Sequence, residues 1–124
     1  MRVLLDTHVA LWWLTDDPTL SEELKEHIDT EPEVYLSPVS VCEVGVKQAL
    51  GKLSGPDDLA RLVAEADLRE LPIRHEHAVT AATLPPIHRD PFDRMLIAQA
   101  RHAGLTLATR DVQIQKYGVP ILAV

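Results

Sequence analysis

Short apolar runs recur along the chain, each closed by polar or turn-forming residues. Runs of this kind are typical of strands buried in a parallel sheet. The first, "RVLLD" at 2–6, ends on a carboxylate. The other predicted strands are "EVYLS" at 33–37, "LRELPI" at 68–73, "LTLAT" at 105–109 and "VPILAV" at 119–124. The pattern therefore predicts a sheet of about four or five short strands.

Between these runs, apolar residues recur three and four positions apart, which predicts amphipathic helices. Leu20, Leu24 and Ile28 form one such stripe. The predicted helices lie within 7–15, 16–32, 38–51, 55–66, 75–84 and 91–104, with one further helical turn near 110–118. Strands alternating with helices predict a single α/β domain over residues 1–124, a three-layer fold in which a mainly parallel sheet has helices on both faces.

The composition is that of one globular domain. The chain has 124 residues, of which 46% are hydrophobic and 25% charged, enough for one core and too few for two domains. Its apolar stretches fall short of the roughly 20 residues that a membrane span needs, and an aspartate at position 6 argues against a signal peptide. The single cysteine, Cys42, is expected to be a small buried hydrophobic residue. We therefore expect a cytoplasmic protein with no membrane partner.

The charge balance restricts how the protein can bind nucleic acid. Twelve basic and 19 acidic residues give a formal net charge of −7. Broad, salt-driven binding to phosphates requires many lysines and arginines, so the charge argues against it. Any nucleic acid would have to bind where the local charge is positive. Divalent cations, a few arginines or a basic partner chain could supply that charge.

Acidic residues fall where strands end and helices begin. Asp6 ends the first predicted strand, Asp111 follows the fourth, and Glu43 lies in the first two turns of the helix after the second. Asp90 and Asp93 lie at the start of the helix that leads into the fourth strand. Ligands bind outside the carboxyl ends of parallel strands, where helix amino termini also lie. We therefore expect all five carboxylates at one edge of the sheet.

Two interpretations of these acids are open. Asp6 and Asp111 can cap the turns that follow them, and Asp90 precedes a proline in the manner of a helix N-cap. Asp93 then falls in the first helical turn, where acids are favoured. Glu43 lies on the apolar side of its helix and has Lys47 four residues later as a partner. The other interpretation is that these acids hold a metal ion.

The energies of repulsion and of capping favour a metal-binding role for these acids. Two carboxylates about 4 Å apart repel by roughly 4 kcal/mol at an effective dielectric constant near 20, whereas a cap contributes only about 1 kcal/mol. A divalent cation offsets the repulsion, and all-oxygen ligands select Mg²⁺ or Mn²⁺ over zinc. His8 and His88 lie nearby in the sequence but lack zinc-site spacing, and a structural or phosphate-facing role is favoured for both.

Four segments resemble one known family. They are "LLDTHVALWWL", "LSPVSVCEVGVKQALGKL", "HRDPFDRMLIAQA" and "LTLATRD", and they occur together and in order. This chain resembles the PIN-domain ribonucleases, in particular the VapC-type toxins of bacterial toxin–antitoxin pairs. The resemblance runs essentially from end to end. It implies a PIN-like fold and Mg²⁺-dependent endonucleolytic cleavage of RNA, with Mn²⁺ as a substitute.

The resemblance also implies a catalytic quartet: Asp6, Glu43, Asp93 and Asp111. Asp93 takes the third place because it precedes "MLIAQA", the helix stretch that follows the family's third acid. Asp6, Asp93 and Glu43 are the expected metal ligands, Glu43 directly or through water. Asp90 is an additional acid that is either a ligand or only a cap. Asp111 is expected to complete the site, to position the attacking water or to help bind a second ion.

Further expectations concern substrate and partners. Arg89, Arg94 and Arg110 either contact RNA phosphates or pair with neighbouring acids. The resemblance implies a homodimer and a cognate antitoxin protein that lies across the acidic pocket. Four consecutive apolar residues at 11–14 cannot all lie on one helix face, so at least one faces a partner or both tryptophans pack within the domain.

Three other functions are alternatives to a nuclease. A phospho-acceptor domain of the response-regulator receiver type expects paired acids after the first strand, where "LLDTH" has one, and a lysine near the fourth, where "LATRD" has arginine and aspartate. A haloacid-dehalogenase-like phosphatase would want an acid two residues after Asp6, where His8 stands. A catalytically silent PIN fold that only binds a partner is the remaining alternative.

Overall fold

The computed structural model describes the whole chain, residues 1–124. Its five strands form one sheet in the order β3-β2-β1-β4-β5, and all four pairings are parallel. The strands are β1 (Arg2–Leu5), β2 (Glu33–Leu36), β3 (Arg69–Glu70), β4 (Thr106–Thr109) and β5 (Ile121–Ala123). The predicted α/β class is confirmed. The receiver-like alternative is wrong, because receiver domains have the strand order 2-1-3-4-5.

Six helices and one 3₁₀ turn connect the strands, as the apolar periodicity predicted. They are α1 (Thr7–Leu14), α2 (Glu22–Thr30), α3 (Pro38–Ala49), α4 (Leu59–Glu65), α5 (His75–Thr83), α6 (Pro91–Ala103) and the 3₁₀ turn Ile114–Tyr117. Ser21 and Ser37 cap α2 and α3 through their side chains. Gly104, at a φ of 66°, ends α6 in the left-handed conformation that glycine adopts without strain. None of these helices has the length and apolar character needed to cross a membrane.

Alternate residues of β1 supply the two cores on opposite faces of the sheet. Leu4 packs with Leu96, Ile97 and Leu107 in one buried cluster. Val3 and Leu5 belong to the other cluster, which includes residues of α1, α2 and β2. Because side chains point alternately to the two faces of a strand, a central strand buried on both faces requires an apolar run. The three-layer arrangement follows from this burial.

Two details differ from the sequence-based expectation. The helix predicted within 55–66, α4, has no fully buried residue, and its apolar side chains are only half-buried. Cys42 is exposed, so the prediction of a buried hydrophobic role was wrong. The reason is helical phase: α3 buries Val39, Ser40, Glu43 and Val44, and Cys42 falls on the flank of that face, where it lines a surface groove.

Candidate active site

An open cleft of about 550 Å³ lies beyond the carboxyl ends of the strands. All five acids that the sequence placed at this edge line it. The walls are formed by Asp6, His8, Val9, Trp12, Glu43, Lys47, His88, Asp90, Asp93, Arg110 and Asp111. The expected convergence of carboxylates on one edge is therefore confirmed, although these acids span residues 6 to 111 of the chain.

Asp6 is buried at the junction of β1 and α1. Its Oδ1 accepts a hydrogen bond of 2.7 Å from the Thr7 amide, as an N-cap does. Its Oδ2 accepts one of 2.7 Å from the Thr109 hydroxyl at the end of β4. Burial raises the pKa of Asp6, and the bonds from Thr109 and Thr7 oppose that rise. Asp6 is thus both a cap and a carboxylate held rigidly at the cleft.

Glu43 is buried on α3, with only 2% of its surface exposed. Its Oε1 accepts a 2.6 Å hydrogen bond from the Thr7 hydroxyl. Its Oε2 lies 2.5 Å from the Lys47 ammonium, so the predicted pair four residues apart is present. The hydrogen bond to Glu43 raises the pKa of Lys47. The buried carboxylate therefore has a partner on each oxygen.

Asp90 caps α6, as its place before Pro91 suggested. Its Oδ1 accepts hydrogen bonds from the amides of Phe92, at 2.8 Å, and Asp93, at 3.4 Å. The capping interpretation of Asp90 is confirmed. Its carboxylate also borders the cleft, so a contribution to metal binding remains a proposal.

Asp93 and Asp111 meet at His88. The Nε2 atom of His88 lies 3.0 Å from Asp93 Oδ2 and 2.9 Å from Asp111 Oδ2. The Asp90 amide donates to His88 Nδ1 at 3.2 Å. In the neutral ring this leaves the proton on Nε2, where it is donated to Asp111, while Asp93 lies within ion-pair distance of the same nitrogen. The ligand atoms of these three side chains lie within 4.8 Å of one another.

The electrostatics of this cluster differ between its two acids. Burial, and then the charges of Asp6, Asp90 and Glu43, raise the pKa of Asp93 to about 7. For Asp111, burial acts in the same direction, but the hydrogen bond from His88 and backbone amides outweighs it and lowers the pKa. Asp93 is therefore the carboxylate on which the repulsion of the cleft is concentrated.

The three arginines have separate positions. Arg89 is exposed, and Arg110 borders the cleft with its guanidinium 4.6 Å from the ring centre of Trp12. The structure does not bring Arg94 to the cleft. Its guanidinium donates to the backbone carbonyls of Ala81, Leu84, Pro85 and His88 at 2.8–3.1 Å. These bonds give Arg94 a structural role instead of either expected one, contact with RNA phosphates or pairing with a neighbouring acid.

The tryptophans follow the alternative in which both pack within the domain. Trp12 and Trp13 are half-buried against the cluster that contains Val3 and Leu5. Trp13 also donates from Nε1 to Asp29 at 2.7 Å. The consecutive apolar residues of α1 therefore do not by themselves indicate a partner surface.

Several side chains of the site were missed or set aside at the level of sequence. Thr7 and Thr109 orient the acids, and His88 joins two of them, yet none belongs to the acidic pattern. Thr7 follows Asp6 directly, and His88 precedes Asp90 by two residues. This adjacency was the available signal, but hydroxyl and imidazole groups next to acids are too common for it to decide a role.

The donor set fits a hard divalent cation. Carboxylate oxygens dominate the cleft, and Mg²⁺ and Mn²⁺ prefer oxygen ligands. Burial, together with the charges of Asp6, Asp90 and Glu43, raises the pKa of Asp93 to about 7, so its ionised form is disfavoured in the absence of added positive charge. A cation bound among them would supply that charge.

Comparisons with known proteins agree with this architecture. Residues 3–120 match the family model of the PIN domain. The chain is 31% identical over 126 aligned residues to ribonuclease VapC22 of Mycobacterium tuberculosis, covering 95% of this chain and 93% of that protein. Among solved structures, it is similar to DNA-bound VapBC of Salmonella typhimurium, with a TM-score of 0.70, 17% identity and coverage of 99% and 98%. VapBC-5 of Mycobacterium tuberculosis, from the VapBC family of toxin–antitoxin systems, has a TM-score of 0.63, 21% identity and full coverage of both chains, 100%. With the matching family model spanning almost the whole chain, this protein belongs to the PIN-domain family.

Proposed function

We propose that this protein is a metal-dependent endoribonuclease that acts as the toxin of a toxin–antitoxin pair. The proposal is carried by one observation: four family acids, Asp6, Glu43, Asp93 and Asp111, line a single cleft although they are remote in sequence. Membership of the PIN family and 31% identity to a protein named a ribonuclease support the same activity.

Asp6 and Asp93 are the proposed direct ligands of Mg²⁺, with Mn²⁺ as a substitute. Glu43 would reach the ion directly or through water, and Asp90 is a further candidate at the start of α6. When bound, a divalent cation supplies Lewis-acid stabilisation of charge on the scissile phosphate and activates a water molecule. It would also reduce the negative charge of the cleft in a protein of net charge −7, which favours an RNA phosphate there.

The remaining side chains position the reaction. His88 donates its Nε2 proton to Asp111 and lies 3.0 Å from Asp93, so it sits between these two carboxylates. Asp111, whose pKa is lowered by that contact, stays ionised and can orient an attacking water as its hydrogen-bond acceptor. Arg110 borders the cleft and Arg89 is exposed close to Asp90 in the sequence, and both are proposed to contact RNA phosphates.

The proposed partners are RNA in the cytoplasm, a cognate antitoxin protein and a second copy of the chain. Solved relatives of this fold are described as VapBC toxin–antitoxin complexes. Val46 on α3, Leu50 just after it and Val79 on α5 are exposed at 42%, 62% and 65%, and a partner that covered them would remove apolar surface from water. Mass measurement by size-exclusion chromatography across dilution tests the dimer, and a monomer at every concentration would contradict it.

The activity is tested with Asp6→Asn and Asp93→Asn in an RNA cleavage assay containing Mg²⁺. Each substitution keeps the volume of the side chain and removes a charged oxygen ligand, and we expect cleavage to fall by at least about 100-fold. Asp57→Asn, at an exposed position outside the cleft, is the matched control and should cleave like wild type.

Full activity in either cleft variant would rule out its assignment as a ligand. Wild-type protein that binds divalent cations but cleaves no RNA would favour the silent binding module instead. Circular dichroism of all variants establishes that losses of activity are not losses of fold.

A further inference from the structure

Lys47 brings a permanent positive charge into the acidic cleft. Its ammonium lies 2.5 Å from Glu43 Oε2, and its side chain is 30% exposed where it borders the cleft, against 3% for Glu43. The hydrogen bond to Glu43 raises the pKa of Lys47, and the charges of Asp90 and Asp93 add to that rise. The ammonium is therefore close enough to interact with three of the five acids.

Glu43 has no oxygen that lacks a partner. The Thr7 hydroxyl donates to one oxygen at 2.6 Å, and Lys47 donates to the other. Asp6 also has a donor on each oxygen, but both are neutral groups, whereas Glu43 already has a cation 2.5 Å from one oxygen. A divalent ion bound directly to that oxygen would lie beside the Lys47 ammonium, and the two positive charges would repel each other. The geometry thus assigns Glu43 first to Lys47 and only secondarily, through water, to a metal.

The charge count of the cleft points in the same direction. With all five carboxylates ionised and both histidines neutral, these acids, Lys47 and Arg110 give a net charge of −3. One divalent ion would bring the cleft to −1, and a second would make it positive. Arg110 already donates to the carbonyls of Thr19 and Val124, so Lys47 is the fixed cation that lies among the acids.

We propose that the Lys47 ammonium takes the place of a second divalent cation beside Glu43, so that the cleft binds a single divalent ion on the side of Asp6 and Asp93. This inference rests on the proposed function only in assuming that a divalent ion enters the cleft. Glu43 is then a positioning residue that acts through Lys47. An ammonium has three donors, and Glu43 accepts one of them, so the others are available to an oxygen of a phosphodiester.

The test is a titration of metal-free protein with Mn²⁺, with free Mn²⁺ followed by electron paramagnetic resonance. We expect wild type and Lys47→Arg to bind one ion per chain, because both keep a cation beside Glu43. Lys47→Met should bind two ions, or bind one at least 10-fold more tightly. Lys52→Met removes an exposed lysine near the end of the same helix and should bind like wild type.

Two Mn²⁺ ions bound to wild type would overturn the proposal without reference to any variant. The proposal also fails if Lys47→Met binds one ion with wild-type affinity. Circular dichroism identifies a Lys47→Met protein that fails to fold, and Lys47→Gln then replaces it in the same titration with the same expectation.

An RNA cleavage assay on the titrated wild type separates this inference from the function. One bound Mn²⁺ without cleavage would overturn the nuclease and leave the role of Lys47 standing. Cleavage with two bound ions would support the nuclease and overturn the role of Lys47. Wild type that binds no Mn²⁺ would overturn both.

Discussion

The two halves of the cleft are built differently, although both carry acids. In the half formed by the end of β1 and by α3, Asp6 and Glu43 are buried and each carboxylate oxygen has a hydrogen-bond donor. In the half formed by the segment after β4 and the start of α6, Asp111 accepts hydrogen bonds from His88 and from the Gln113 amide, whereas Asp93 lies 3.0 Å from the same His88 nitrogen without a hydrogen bond to it. The first half has its charges satisfied by the protein, whereas in the second the charge of Asp93 is not satisfied.

This difference indicates where a cation is needed. Burial and neighbouring acids raise the pKa of Asp93 to about 7, whereas the pKa of Asp111 is lowered by His88 despite burial. The protein therefore tolerates an electrostatic strain at one carboxylate in its metal-free state. Ionising Asp93 at neutral pH requires added positive charge, so metal binding and the charge of this residue are coupled.

Hydrogen bonds to the backbone hold the half of the cleft with His88 and Asp93 in place. The Tyr117 hydroxyl donates to the carbonyl of Pro85 at 2.6 Å and accepts from the His88 amide at 2.7 Å. Arg94 binds four carbonyls of the same region. The loop that carries His88 is thus fixed by neutral and cationic donors that never enter the cleft.

The largest effect on stability is expected from Arg94→Met, which removes these four carbonyl contacts. The carbonyls of Ala81 and Leu84, whose residues are buried, would lose a charged donor, so the free energy of unfolding should fall by about 3 kcal/mol. Urea denaturation measures the change. The control is Arg89→Met, at an exposed position, and equal stability of the two variants would contradict the anchoring role of Arg94.

The next effect concerns Asp93→Asn in metal-free buffer. The folded pKa of Asp93, about 7, exceeds its ordinary value of 3.8, so between these values the folded state holds a proton that the unfolded chain has released. Wild-type stability should therefore decrease as pH rises through this window. The difference between these pKa values corresponds to about 4 kcal/mol at pH 8. About half of it should appear as added stability of the variant, because burying the asparagine amide also has a cost.

Urea denaturation at pH 8 and near pH 4, in the presence of a chelator, tests the predicted direction of the change in stability with pH. The advantage of Asp93→Asn should disappear near pH 4, where Asp93 is protonated in the folded protein. Mg²⁺ at about 100 times its dissociation constant should stabilise wild type by about 2.7 kcal/mol, and Asp93→Asn much less. A variant that is less stable than wild type at pH 8 would show that the two halves do not differ as described.

In the satisfied half, Thr109→Val should cost about 1.5 kcal/mol. It removes the donor to Asp6 Oδ2 and the acceptor of the Asp111 amide, while the shape of the buried side chain is nearly conserved. The pKa of Asp6 should rise further, since this hydrogen bond opposes the effect of burial. Thr106→Val in the same strand is the matched control, and similar unfolding midpoints for both variants would disprove the hydrogen bond's importance.

The smallest effect is expected for Arg110→Met, at the edge between the halves. The substitution removes a cation–π contact of 4.6 Å with Trp12 and two exposed hydrogen bonds to carbonyls, together about 1 kcal/mol. Thermal unfolding measures this loss of stability, and Lys116→Met, at an exposed position, is the control. A loss as large as that of Arg94→Met would mean that the edge of the cleft is also a structural anchor.

Much of the fold was readable from the sequence because its signals are local. The apolar run of β1 predicts a central strand buried on both faces, and Asp90 before Pro91 predicts the start of α6. The set of acids was also readable, because parallel strands bring their carboxyl ends to one edge of the sheet. Lys47 was placed beside Glu43 by helical spacing alone.

Other features depend on contacts between distant segments. Asp6 and Thr109 meet across 103 positions of the chain, and Arg94 reaches carbonyls 6 to 13 residues before it. An arginine beside an acid in the sequence looks like a partner of that acid or of a phosphate. Only the packing of α5 against α6 decides that its guanidinium turns to the backbone.

The sequence by itself determined the residue types, the helix and strand order and the edge at which the carboxylates gather, because periodicity and strand direction depend on neighbours in the chain. The tertiary structure decided which carboxylates are satisfied and which are crowded. That distinction arises from burial and from donors on other elements, and neither is encoded in the spacing of the acids.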